Sequence, residues 1–461
     1  MIPFESAFVV GSLASGLYAA LYLHAQGVRV FVSESKPFES DTKFSEAARL
    51  LESADIPHEF GVNSASIMAQ YDALMVSPGV PPDAPILVAA RSLGKPVIGE
   101  TEIAAYADIP VLAVTGSNGK STTTALLGVL VSSQYHDTVT GGNLGHPVSQ
   151  LLVEQPSAGR AVLEVSCFQL ETIHAFHPRV AVFTNLVPNH LDRYGTMERY
   201  FATKQRIFEN MSAEDDAVLN LDDPALRELA PALTPHTYWF GFADMPYDGV
   251  HLVGHSVVFR DRSQEVELFD TGDLRIPGRH NVANAMSAAL AAFLYGVSPE
   301  VIRKAVGTFG GLPHRLEHVC SSGGLTYIND SKATTPESVM TAVDALSGPF
   351  AVILGGSSKG VSYDSMATRL AQDNRLVAAV VMGETGPAIE EALQRAGLGQ
   401  DRIVRAASLE EAVERGANLM ASGGTLLLSP ACASFDMFRD FEQRGDAFKT
   451  IVLRRCAAGS P

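Results

Sequence analysis

Val111-Leu112-Ala113-Val114-Thr115-Gly116-Ser117-Asn118-Gly119-Lys120-Ser121-Thr122 decides the reading of this chain. A short apolar run, a glycine turn, a lysine and two hydroxyl residues spell a buried strand, a tight turn and a helix start. Exposed N–H groups at a helix N-terminus make an anion site, and Lys120 adds a cation toward terminal phosphates. A hydroxyl from Ser121 or Thr122 suits Mg2+. The spacing is shorter than the standard phosphate loop, which has glycine where Val114 stands. The alternative is a plain glycine turn capping a helix. Gly-Lys-Ser-Thr after a buried strand favours a nucleotide triphosphate site built from Gly116, Asn118, Gly119, Lys120, Ser121 and Thr122.

Outward from this loop, short β-branched runs alternate with amphipathic stretches, which predicts α/β architecture throughout. Three blocks separate: 1–109, 110–311 and 312–461. The first opens with Phe8-Val9-Val10 and the turn Gly11 to Gly16, then strands at Val28–Val32 and Ala73–Val76. The second holds the phosphate loop, a string of short strands over His236 to Arg275 and a helix from about Asn281 to Leu294. The third carries strands near Leu325–Ile328, Ala351–Leu354, Ala378–Val381, Ile403–Val404 and Thr425–Leu428, a Rossmann-like alternation.

The Gly11 turn is a poor dinucleotide signature, because Leu13 stands where a glycine would let pyrophosphate approach. Glu34 ends the second strand, where a ribose-binding acid lies in such folds. A tight turn in a nucleotide-free sheet is an equal reading. Glu164 ends the strand Ala161–Leu163, a common position for a Mg2+ carboxylate. His190 follows the strand Val180–Phe183 and is either a ligand or a loop histidine. In the helical segment Met197 to Met211, Lys204 falls inside the apolar stripe of Tyr200, Phe201, Ile207, Phe208 and Met211. A buried ammonium must be deprotonated, paired or modified. The alternative is a lysine that snorkels to solvent.

Lys+Arg number 34 and Asp+Glu 51, a net charge of −17. Such a surface repels nucleic acid and anionic membrane, so neither is an expected partner. No window holds eighteen consecutive apolar residues. Cys167, Cys320, Cys432 and Cys456 fit no zinc or disulfide spacing. A reduced, cytoplasmic, monomeric enzyme is expected.

Taken together, the motifs resemble the Mur ligase family. They are the phosphate loop, Gly141-Gly142-Asn143-Leu144-Gly145, Glu164 to Glu171, His190 to Tyr194, Lys204, Gly278-Arg279-His280-Asn281 and Leu312-Pro313-His314-Arg315. Asn329-Asp330-Ser331-Lys332-Ala333-Thr334, Leu428 to Asp436 and Phe441 to Gly445 are typical of its D-glutamate-adding branch. The resemblance implies three domains: an N-terminal Rossmann-like UDP-binding domain, a central P-loop-type ATPase and a C-terminal Rossmann-like domain. It implies ATP-dependent ligation of D-glutamate to UDP-N-acetylmuramoyl-L-alanine in peptidoglycan synthesis, with Lys120, His190 and Lys204 catalytic. Ser121, Thr122 and Glu164 would serve one Mg2+, and His190 with a carbamylated Lys204 a second. Asn281, Arg315, Asp330 and Lys332 would hold ATP. Gly11, Ser12, Leu13, Glu34, Ser35, Ser77 and Gly79 would line the uridine diphosphate site, with Asn143 on the UDP-sugar. Thr334, Lys359, Ser434, Phe435 and Phe441 would bind D-glutamate. The alternative is another ADP-forming amide ligase of this fold, with a different amino acid or a folate acceptor.

Overall fold

The computed structural model describes residues 2–40, 42–243, 248–276, 278–358 and 360–458. Among these residues the strands form three sheets. The first contains β1 (Ser6–Val10), β2 (Arg29–Glu34), β3 (His58–Phe60), β4 (Ala73–Val76) and β5 (Val97–Gly99), parallel in the order β3-β2-β1-β4-β5. β1 and β4 are buried along their whole length, which is why they read as continuous rather than alternating apolar runs. The Gly11 turn leaves β1 at the point where the strand order reverses, the crevice in which doubly wound sheets bind ligands.

The second sheet contains β6 (Val111–Thr115), β7 (Thr138–Gly142), β8 (Arg160–Glu164), β9 (Val180–Phe183), β10 (Asp216–Asn220), β11 (His236–Phe240), β12 (Gly249–Val253), β13 (Ser256–Arg260) and β14 (Glu265–Asp270). Its order is β14-β13-β12-β11-β10-β9-β6-β8-β7. The strands from β6 to β12 pair in parallel, and β12, β13 and β14 form an antiparallel edge. β6 is buried at all five positions between β8 and β9. The loops that leave these three strands therefore emerge side by side.

The third sheet contains β15 (Glu317–Ser322), β16 (Leu325–Asn329), β17 (Phe350–Gly355), β18 (Leu376–Met382), β19 (Ile403–Arg405) and β20 (Gly424–Leu428), in the order β15-β16-β20-β17-β18-β19. Only the β15–β16 pairing is antiparallel. Val352 and Leu354 enter one core and Ala351 and Ile353 the other, the period-two alternation of a strand covered on both faces. Because β20 lies between β16 and β17, the loop after Asn329 and the loop after Leu428 are neighbours.

The α/β, three-sheet plan is the expected one. The first two sheets belong to one compact unit, residues 1–275 and 279–309, and the third to another, residues 276–278 and 310–461. The thiol expectation is corrected at one pair. Cys320 and Cys456 are disulfide-bonded across 136 residues of sequence. They come together because the helix Phe441–Ala458 packs on the edge strand β15, a contact that cysteine spacing does not encode. Cys167 and Cys432 are free and buried.

Within the first unit, two buried acids fix the turn after β5. Glu102 accepts the backbone N–H groups of His174 (2.9 Å) and Ala175. Glu100 accepts the Ser149 N–H (2.7 Å) through Oε1, and its Oε2 has no partner among the described residues. Burial pushes the Glu100 carboxyl up to about 7. From about pH 4.5 to 7 the unfolded chain releases this proton while the folded protein keeps it, so stability falls as pH rises through that window and is level above it. Glu100→Gln is therefore expected to gain roughly 1–3 kcal/mol over the parent at pH 8 and little at pH 4.5. Urea unfolding at the two pH values measures the difference, and an equal effect at both would refute it.

Candidate active site

The turn after β6 departs from ordinary backbone at two points. Gly116 has φ 144° and Gly119 φ 82°. A Cβ at Gly116 would stand 1.9 Å from Thr184 Oγ1, and one at Gly119 would stand 2.3 Å from Asn284 Oδ1. Only glycine fits either place. Gly119 caps the helix Lys120–Gln134 without a side-chain hydrogen bond, so no cap side chain takes up the first-turn N–H groups. The loop is braced from β9: Thr184 Oγ1 donates to Asn118 O (2.6 Å), and the Asn118 N–H donates to Asn185 Oδ1 (2.9 Å). Ser121 and Thr122 are half-buried in the first turn.

Lys120 Nζ donates to the carbonyls of Gly116 and Ser117, both at 2.9 Å. Lys204, 1% exposed, donates to the same Gly116 carbonyl at 2.7 Å. The apolar stripe thus carries its lysine inward rather than snorkelling it to solvent. Burial, reinforced by the nearby Lys120 charge, pushes the Lys204 amine down to about 7. Its Nζ lies 5.0 Å from the Tyr200 ring centroid. His190, at φ 52°, is exposed; its ring sits 6.4 Å from Tyr200 and 4.9 Å from Phe168. Tyr200 therefore gathers Lys204 and His190 beside the loop.

Glu164, 2% exposed, accepts from Asn143 Nδ2 (2.6 Å) through Oε1. Its Oε2 is buried and has no protein partner among the described residues. An orphaned carboxylate oxygen beside a phosphate loop suits a hard cation. Among the described residues no group of three or more His, Cys, Asp or Glu side chains could hold a metal, so a cation here would also need hydroxyl, phosphate or modified-lysine oxygens. Asn281 accepts from Asn284 Nδ2 (3.2 Å), and Asn284 faces Gly119. Sequence reading missed Asn284 and Thr184. Asn284 lies three residues after Asn281, one helical turn along the same face, and that spacing was the available signal.

In the first sheet, Gly11 (φ 98°) is pressed against Ser77, whose Oγ would lie 2.6 Å from an added Cβ. Glu34 Oε2 accepts from the Ser12 N–H (3.1 Å) and hydroxyl (3.3 Å), and its Oε1 from Ser35 Oγ (3.4 Å). Glu34 thus braces the glycine turn itself. Leu13 is 43% exposed at the mouth of the turn, and Gly79 lies in the exposed turn after Ser77.

In the second unit, Asp330 accepts from the Leu316 N–H (3.2 Å) and Ser429 Oγ (2.8 Å), and burial pushes it up to about 7. Arg315 is exposed between His314 and Leu316, both at positive φ. Lys332 Nζ lies 5.8 Å from the Phe441 ring centroid, and the Thr334 N–H donates to the Lys332 carbonyl (2.9 Å). Ser434 is buried, whereas Phe435 is 74% exposed although its N–H is anchored to Ser357 Oγ (3.0 Å). Lys359 lies outside the described residues.

Residues 5–99 match the MurD-like N-terminal domain of Mur ligases, 114–292 the Mur ligase middle domain and 314–432 the Mur ligase glutamate ligase domain. Over 447 residues the chain is 38% identical to the UDP-N-acetylmuramoylalanine--D-glutamate ligase of Koribacter versatilis (strain Ellin345), covering 97% of this chain and 96% of that protein. The chain belongs to the Mur ligase family. A relative of the same name from Symbiobacterium thermophilum is 38% identical over 453 residues, 97% of this chain and 98% of that protein. Among solved Mur ligases, the UDP-N-acetylmuramate-alanine ligase MurC of Thermotoga maritima superposes with a TM-score of 0.57 at 20% identity, over 99% of this chain and 100% of that one. The MurF ligase of the same organism, solved with ADP, gives 0.57 at 16% identity, over 98% and 99%. These two likenesses carry the family's fold.

The tight glycine predicts a simple lesion. Gly119→Ala must relieve both a left-handed φ and the collision with Asn284, and is expected to weaken ATP binding about tenfold or more. Titration calorimetry with a non-hydrolysable ATP analogue measures it; unaltered affinity would remove Gly119 from the candidate nucleotide site.

Proposed function

We propose that this chain joins D-glutamate to UDP-N-acetylmuramoyl-L-alanine with cleavage of ATP to ADP and phosphate, in the cytoplasm and as a monomer. The observation that carries the reading is near-full-length likeness to D-glutamate ligases in a chain whose phosphate loop has a buried amine at its carbonyl.

In the first step a terminal carboxylate oxygen of the UDP-substrate attacks the γ-phosphorus of ATP, the bond to the β-phosphate oxygen breaks, and ADP leaves. In the second, the neutral amine of D-glutamate attacks the acyl phosphate carbon, phosphate departs with the bonding pair, and the amine loses a proton. Carboxylate and triphosphate repel each other, so a preorganised positive field must hold them together. Lys120 and the N–H groups of the helix start, Gly119 to Thr122, would supply that field, with Gly116 and Asn118 shaping the turn that aims them. Ser121, Thr122 and Glu164 would hold one Mg2+, and His190 with Lys204 a second, the ions neutralising phosphate charge and orienting the attack. The orphaned Glu164 oxygen fits the first. For the second, Lys204 would carry a carbamate: an amine titrating near pH 7 is substantially neutral, as attack on CO2 requires, and the adduct changes a buried cation into an oxygen ligand.

Asn281, Arg315, Asp330 and Lys332 would contact ATP. Gly11, Ser12, Leu13, Glu34, Ser35, Ser77 and Gly79 would receive the uridine diphosphate, and Asn143 the sugar. Thr334, Lys359, Ser434, Phe435 and Phe441 would take D-glutamate, with Lys332 and Lys359 opposing its carboxylates.

ADP release with ATP, Mg2+ and UDP-N-acetylmuramoyl-L-alanine tests the reaction, with D-Glu, L-Glu, L-Lys and glycine in parallel. D-Glu alone is expected to support turnover; turnover with another amino acid would keep the chemistry and overturn the pocket. Lys204→Ala is expected to be inactive and to regain part of its rate with short carboxylates such as acetate. A fully active Lys204→Ala protein would rule out the ligand role.

A further inference from the structure

Arg444 is 1% exposed and lies in the first turn of the helix Phe441–Ala458. The N-terminal turn is the end of a helix where a cation is least favoured. Burial pulls its guanidinium down to about 10, so it stays charged at neutral pH and needs acceptors.

Those acceptors are neutral oxygens from two loops. Nε donates to Ser331 Oγ (2.9 Å) and Nη2 to the Ser331 carbonyl (2.8 Å). Nη1 donates to the carbonyls of Cys432 and Ala433, both at 3.1 Å, and Nη2 also reaches Cys432 O at 3.1 Å. Ser331 Oγ in turn donates to the Phe441 carbonyl (2.8 Å), tying the same loop to the start of the helix. The loop after β20 needs such support, because Ala431 is held at φ 63°, a conformation that L-residues rarely adopt. One residue beyond each clamped segment come the side chains assigned to the amino acid: Lys332 and then Thr334 on one loop, Ser434 and Phe435 on the other.

We propose that Arg444 is the positioning residue of the amino-acid pocket: its planar fork sets the spacing between residues 331–334 and 432–435, and so the affinity for D-glutamate. The identity of that amino acid rests on the ligase reading above. A lysine cannot replace the fork, because one ammonium offers its donors from a single point and cannot reach Ser331, Cys432 and Ala433 together.

Arg444→Lys in the full chain tests this. The KM for D-glutamate is expected to rise about tenfold or more while the KM for UDP-N-acetylmuramoyl-L-alanine stays within about twofold. Amide exchange should quicken at 331–334 and 431–435 but not in β17 and β18. Unchanged D-glutamate KM with unchanged exchange overturns the proposal. So does a loss shared by both substrates with faster exchange throughout the unit, the signature of a residue that only stabilises. Should Arg444→Lys fail to fold, Ser331→Ala removes the Nε acceptor together with the Oγ tie to the Phe441 carbonyl, leaves the carbonyl acceptors of the fork in place, and must raise the same KM to a smaller degree; no rise overturns the proposal. The exchange readout needs no turnover. A parent protein inactive with D-glutamate defeats the ligase reading, while selective loosening of the two loops would still support the positioning role.

Discussion

One backbone oxygen organises the candidate site. The Gly116 carbonyl accepts from Lys120 at 2.9 Å and from Lys204 at 2.7 Å. Two full ammonium charges so close, one of them 1% exposed, are not stable together. Burial, with the Lys120 charge adding to it, pushes the Lys204 amine down to about 7. This arrangement requires β6 to be fully buried between β8 and β9, Gly116 to hold φ 144°, and the helix Met197–Gln205 to bring its buried face onto the loop. The reactive character proposed for Lys204 is a consequence of that burial first and of the neighbouring charge second.

The two units use charge differently. In the first unit, positive character comes from a lysine and from N–H groups at an uncapped helix start, and the buried Glu164 leaves one oxygen unclaimed. In the second, the buried cation Arg444 spends all its named donors on loop oxygens, and Lys332 stays near the surface over the Phe441 ring. One set of groups is arranged to meet charge from outside, the other to shape a loop. An overall charge of −17 hides both, because each acts over a few ångströms.

The first-sheet turn shows what residue type leaves open. Glu34 stands where an acid would meet a ribose, yet its carboxylate is engaged by Ser12 and Ser35. The role of that acid depends on which hydroxyls the turn presents, and strand periodicity carries no information about that. The Cys320–Cys456 bond is a similar case: the partners lie on an edge strand and on the last helix, 136 residues apart in sequence and brought together by tertiary packing.

The amino-acid sequence by itself determined the α/β plan, the strand β6, and the glycine turn and lysine-led helix start that follow it, because periodicity and backbone permissiveness are local properties. It also placed Lys204 in an apolar stripe, since helical spacing decides which residues share a face. Whether that lysine turned inward was decided by how its helix packs on the Gly116 turn, and its titration was shifted first by that burial and then by the Lys120 charge. Asn284 against Gly119, and Arg444 across Ser331, Cys432 and Ala433, were likewise decided only in three dimensions. Each depends on a helix packing against loops remote in sequence, and no local pattern specifies which oxygen a side chain will reach.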